Sequence, residues 1–138
     1  MSCSKCIAII PLLVAGWLSG CATPTSSGYR YNEVVIVNRT RAPVTDVTVA
    51  ATGSGRLFGC ANIAPRGICS NSFAPRDYQQ SPIEVTWSIG GASSRSETVT
   101  VAVPSNFITG IPMRGVLVID ARGGIEAFLQ QDVPGPHL

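Results

Sequence analysis

The feature that most limits what this chain can become is a two-residue rhythm of apolar and polar side chains that sets in at Glu33 and continues almost to the end. Ile83, Val85, Trp87 and Ile89 alternate with Glu84, Thr86 and Ser88. Successive side chains of an extended strand point to opposite faces, so this segment has one apolar face to bury and one wet face, a pattern with the wrong period for a helix. Val99, Val101 and Val103 alternate in the same way with Thr98, Thr100 and Ala102. Between the two segments Gly90-Gly91-Ala92-Ser93-Ser94 supplies a glycine-rich turn, which predicts an antiparallel hairpin. Residues 34–37 and 116–119 are unbroken apolar runs, as expected of strands central in a sheet or buried on both faces. Residues 44–51 and 125–130 complete the predicted set, with Gly123-Gly124 turning the last hairpin and shorter strands flanking Cys60 and Cys69. No apolar run at helical spacing lies between Glu33 and Gln131. Pro43, Pro65, Pro75, Pro82, Pro104 and Pro112 would each remove a donor from any helix laid across them.

The predicted fold class is therefore all-β. About seven or eight short strands in about a hundred residues point to an immunoglobulin-like two-sheet β-sandwich, with a small β-barrel as the alternative. The likeness is architectural, because antibody domains place a Trp between two distant cysteines, whereas Cys60 and Cys69 are close together and both precede Trp87. One domain is expected over residues 33–131, followed by a loose Pro- and Gly-containing tail over 132–138. Charged residues make up 13% of the chain, about half the usual share, and the net charge is +2. With the arginines scattered, there is no concentrated basic face, which argues against nucleic acid as a partner.

The N-terminus has a different organisation. Residues 1–6 carry one cation, Lys5, an apolar stretch runs from Ile7 to Trp17, and Leu18-Ser19-Gly20-Cys21 follows. This is the layout of a signal peptide over residues 1–20; the apolar stretch of about eleven residues is too short for a permanent membrane helix, which needs about twenty. The four residues ending at Cys21 resemble the lipobox of bacterial lipoproteins at every position. That resemblance implies cleavage before Cys21, a diacylglyceryl group on its sulfur and a fatty acyl group on the freed amine. Two or three chains together give lasting membrane attachment. Residues 21–32 then read as the lipidated cysteine and a flexible tether. The resemblance also implies sorting: Ala22, in place of Asp, points to the periplasmic face of the outer membrane, with the inner membrane as the alternative.

Processing leaves an even number of usable thiols. Cys3 and Cys6 depart with the leader, lipid blocks Cys21, and Cys60 and Cys69 remain in an oxidising compartment. A disulfide is expected, worth roughly 2–3 kcal/mol on the chain-entropy estimate for so short a loop. Its role is structural, since the spacing is not C-x-x-C. Cys3-Ser4-Lys5-Cys6 does have that spacing, but a zinc site needs two further ligands, and the one histidine, His137, lies in the tail. No metal or cofactor is expected.

Catalysis finds little support. His137 is a poor general base for a serine nucleophile, and Gly53-Ser54-Gly55 reads as a turn rather than a nucleophile elbow. Asp46, Asp77, Glu84, Glu97, Asp120 and Glu126 are spread along the strands with nothing to pair them. Asn38-Arg39-Thr40 matches a glycosylation sequon that has no meaning in a bacterial precursor. The most distinctive segment is 56–78, which combines the two cysteines with Arg56, Arg66, Arg76, Phe58, Phe73 and Tyr78. Arginine and tyrosine dominate binding hot spots, so Arg56, Arg66, Arg76 and Tyr78 are the candidate partner-binding residues, with a protein or glycan of the cell envelope as the partner. The reading against this is solvated arginines and aromatics engaged in packing, the role expected of Trp87 on its apolar face. The expected function is a non-enzymatic binding or assembly module held at a membrane by lipid. The alternative is a small envelope hydrolase or enzyme inhibitor with its site in segment 56–78.

Overall fold

Eight strands form in chain order: β1 (Arg30–Asn38), β2 (Val44–Ala51), β3 (Gly55–Ile63), β4 (Ile68–Asp77), β5 (Ile83–Ile89), β6 (Arg95–Val99), β7 (Met113–Ile119) and β8 (Ile125–Gln131). The computed structural model describes residues 28–51 and 55–132, with Arg56 described by its backbone. The predicted signal peptide, Cys21, most of the tether, part of the turn at Gly53-Ser54-Gly55 and the tail from residue 133, His137 included, lie outside the described residues.

The strands make two four-stranded sheets, β4-β1-β7-β8 and β3-β2-β5-β6, packed as a β-sandwich. Neither sheet closes on itself, which sets the barrel aside. The two unbroken apolar runs lie side by side as β1 and β7, the central, parallel pair of the first sheet. The glycine-turned hairpin forms as β5 and β6, with Ile83 opposite Val99 and Trp87 opposite Arg95. It is shorter than the alternation suggests: β6 ends at Val99, and Val101 and Val103 lie in the crossing to β7. An edge strand whose chain must leave for the other sheet cannot keep pairing. The strands beside Cys60 and Cys69 are long, not short, at 9 and 10 residues. Each lies at the edge of its sheet, where one side has no ladder partner and polar or small residues are tolerated, so the alternation that marks other strands is weak there.

Ile36, Val44, Val85, Trp87, Leu117 and Ile119 form the centre of the core, all 3% exposed or less. Three irregularities keep the apolar side chains in phase. In β2 one extra residue opposite β5, between Thr45 and Thr48, turns Val47 inward, and Asp46 there takes φ 53°. Leu57 is the extra residue of β3 opposite Val49 and Ala50. Asn32 is the extra residue of β1 against β7, while against β4 it faces the three residues Phe73, Ala74 and Pro75, and the alternation is legible only from Glu33 although β1 begins at Arg30.

The disulfide joins Cys60 of β3 to Cys69 of β4, with Cα atoms 6.6 Å apart. Because β3 and β4 belong to different sheets, the bond staples the two layers along one long edge. On the opposite edge Arg95 Nη1 donates to the Gly123 carbonyl, 3.2 Å, joining β6 to the β7–β8 turn.

Candidate functional site

The two ends of the sandwich are built differently. At the end where β1 finishes, the inward position after Val34 and Ile36 belongs to Asn38, which is fully buried. Its Nδ2 lies within hydrogen-bond distance of the carbonyls of Ala42, Ile63 and Ala64, at 2.8, 3.1 and 3.1 Å. Its Oδ1 accepts from the Thr40 backbone N–H, 2.9 Å, and from the Thr40 hydroxyl, 2.7 Å. One side chain thus ties the β1–β2 crossing to the β3–β4 turn, and the sequon residue is consumed by structure. Backbone bonds from Asn38 to Gly67 and from Arg39 to Ile119 complete this closed end.

At the other end the sheets enclose a cavity of about 290 Å³. Val34, Gly115, Leu117, Ala127 and Leu129 line it from the first sheet, and Val49, Ala51, Leu57, Ile83 and Val99 from the second. Its origin is in the side chains. Gly115 lies between Val34 and Leu129 on the inner face, and a Cβ built on it meets no atom within 4 Å. Its φ is not in the left-handed region, so the backbone does not demand glycine. Alanines occupy the neighbouring positions 51 and 127. Three small residues where a sandwich core normally interdigitates large ones leave the space unfilled.

The mouth is polar and aromatic. Tyr31, Arg76, Asp77, Tyr78 and Gln79 contribute to it. The extra residue at Asn32 sets the phase that places Tyr31 opposite Met113, and there Tyr31 meets Phe73 edge-on, with ring centres 5.3 Å apart, and Tyr78 at 6.0 Å. The Arg76 guanidinium lies over the Phe73 ring, 5.1 Å from its centre, a cation–π contact. The Tyr78 hydroxyl donates to the Val101 carbonyl. Its pKa is raised above the ordinary 10.0, chiefly because burial disfavours the phenolate and secondarily through Tyr31. Asp77 faces Arg30 at 3.7 Å in an exposed pair, whereas Arg76 has no carboxylate partner among the described residues.

This geometry divides the sequence-derived candidates. Segment 56–78 runs the length of the sandwich as β3, a turn and β4, so its two extremes meet and its middle lies far away. Arg76 and Tyr78 stand at the cavity mouth, and the Arg56 backbone lies at the same end. Arg66 occupies the β3–β4 turn at the closed end, with φ 60°. Strands of this length separate the two groups by about 30 Å at 3.3–3.4 Å per residue. Phe58 is core, 7% exposed, and so is Trp87, 2% exposed. Tyr31, Leu57, Ala51, Gly115 and Ala127 were not among the candidates. One signal was present in the sequence: Gly115, immediately before the apolar run 116–119, since a glycine in a strand marks a missing side chain or a close approach.

Among the described residues two carboxylates, Glu33 and Asp132, meet at Arg114, which is ion-paired with both. Asp120 Oδ1 accepts from the N–H groups of Arg122, 2.7 Å, and Gly124, 3.1 Å, which shapes the last hairpin turn. Glu84 accepts from the Ser96 hydroxyl, 3.1 Å, on the second sheet. Among the described residues no three His, Cys, Asp or Glu side chains are grouped so as to hold a metal.

The outer faces also differ. That of the second sheet is lined by Thr45, Thr48, Thr86, Ser88, Ser96 and Thr98. That of the first carries Val35, Val37, Val116 and Val118, flanked by Ile68 and Phe128, which are 66% and 44% exposed. No protein-family model, curated protein or solved structure matches this chain.

Proposed function

We propose that this protein is an envelope lipoprotein, attached through acylated Cys21 to the periplasmic face of the outer membrane, whose sandwich is a non-enzymatic binding module working through its open end. The observation that carries the reading is the pairing of an apolar cavity with a mouth of convergent arginine and aromatic side chains. A concave, mostly apolar site with a few placed polar groups is the usual form of a binding site. Tether length supports the orientation. β1 begins at the open end, and residues 22–29 between Cys21 and Arg30 span at most about 30 Å when extended. A domain so tethered would hold its open end toward the membrane.

Crosslinking in intact cells tests this reading. A photo-reactive residue at position 76 is expected to capture an envelope component, and the same residue at position 66 is expected to capture none. Capture at 66 alone would place the binding surface at the closed end and overturn the reading. Mass spectrometry of the membrane-purified protein should show a chain beginning at acylated Cys21. A Cys21→Ala form still processed and lipidated would remove the anchor from the proposal.

A further inference from the structure

We propose that the cavity between the sheets is a binding site for one acyl chain of an anionic single-chain amphiphile, with the chain among the inward side chains and the anionic head beside Arg76. The proposal rests on the open end being the binding surface and adds to that reading the chemistry of what binds. Four observations carry it. The walls are aliphatic: Val34, Val49, Leu57, Ile83, Leu117 and Leu129 present no hydrogen-bonding side chain. A volume of about 290 Å³ is near the lower end of the range for ligand pockets and suits a single alkyl chain. The space is made by the absence of side chains at Gly115, Ala51 and Ala127, so it is a preformed hollow whose filling needs no core residue to move. The rim has a sign. Arg30 faces Asp77, which leaves the Arg76 charge at the mouth to meet an anion.

An apolar chain entering such a hollow gains the transfer free energy of each methylene it buries. The aromatic rim of Tyr31, Phe73 and Tyr78 lies where the chain would join its head. Arg76, stacked on Phe73, is held near that junction with its guanidinium donors available. A carboxylate and a phosphate share the chemistry the rim recognises, so a free fatty acid and a lysophospholipid are two sources of one ligand class.

The test uses the full-length chain in nanodiscs of zwitterionic lipid and a photo-reactive diazirine analogue of lauric acid, with adducts mapped by peptide mass spectrometry. Adducts are expected on Leu57, Ile83, Leu117 or Leu129. Excess laurate should remove them, whereas dodecyltrimethylammonium, of opposite charge, should compete at least about threefold less well, the scale of an exposed ion pair. Lysophosphatidylglycerol competing better than laurate would identify the phosphate source, and the reverse the carboxylate; both outcomes support the site. Gly115→Leu and Ala127→Leu, made separately, should each lower labelling about tenfold by occupying the hollow. Adducts confined to Ile68 and Phe128 on the outer face, or labelling unchanged in whichever filled variant keeps the disulfide and a cooperative unfolding transition, would overturn the proposal. Failure of the cellular crosslink at position 76 with these adducts intact would instead count against the partner reading alone.

Discussion

The closed and open ends of this sandwich share the same eight strands, yet they resolve the inward-facing positions in opposite ways. At the closed end a polar side chain, Asn38, is buried completely and every polar atom it brings is matched by a backbone or hydroxyl partner. At the open end the inward positions are apolar, but Gly115, Ala51 and Ala127 are too small to meet across the layers. One end therefore specifies the crossing loops and holds the layers in register, and the other tolerates unfilled volume. A domain can keep an internal hollow when packing and a covalent staple elsewhere hold the sheets together.

The largest effect that would test this contrast is at Asn38. Asn38→Ala removes the donor shared by three carbonyls, of which Ala42 and Ala64 keep a second donor in the Thr40 hydroxyl and the Gly67 N–H, and takes the acceptor from the buried Thr40 N–H; it is expected to cost about 3 kcal/mol, read as a lower urea midpoint. A loss below about 0.5 kcal/mol would mean that the closed end is not the organising one. Breaking the staple comes next. The double change Cys60→Ala and Cys69→Ala is expected to cost roughly 2–3 kcal/mol, measured against the wild type under oxidising conditions. Gly115→Val should act in the opposite direction. Filling the hollow is expected to stabilise the unliganded domain by about 1 kcal/mol, seen as a raised midpoint, where an ordinary core position would be strained by the added bulk.

The smallest effect is a pH dependence confined to the open end. Tyr78 has a raised pKa in the folded state, so its contribution to stability is complete below the ordinary tyrosine value of 10.0. It is lost as pH rises through the higher folded value, because the phenolate is disfavoured by burial and cannot donate to the Val101 carbonyl. Unfolding midpoints of wild type should therefore fall on the alkaline side of about pH 10, and Tyr78→Phe should show a shallower fall there. Equal slopes in the two proteins would show that Tyr78 is not held in its protonated form.

Which of these features was legible beforehand depends on the range over which the determining forces act. Alternation at 83–89, the apolar runs at 34–37 and 116–119, the glycine turns and the spacing of Cys60 and Cys69 are local patterns, and each corresponds to a strand, a central position, a hairpin or a bond in the structure. Strand periodicity is imposed by the backbone and by burial of one face, so one stretch of sequence carries it. Tertiary structure alone decided the rest. Whether Val101 extends a strand depends on where its chain must go next, and whether Asn38 is an exposed sequon residue or a buried hub depends on carbonyls 25 and 26 positions away. The cavity depends on Gly115, Ala51 and Ala127 meeting across two sheets, a coincidence of small residues from three strands that no window of the sequence contains. Arg66 and Arg76 look like neighbours in the chain, and an extended strand of the intervening length carries them to opposite ends.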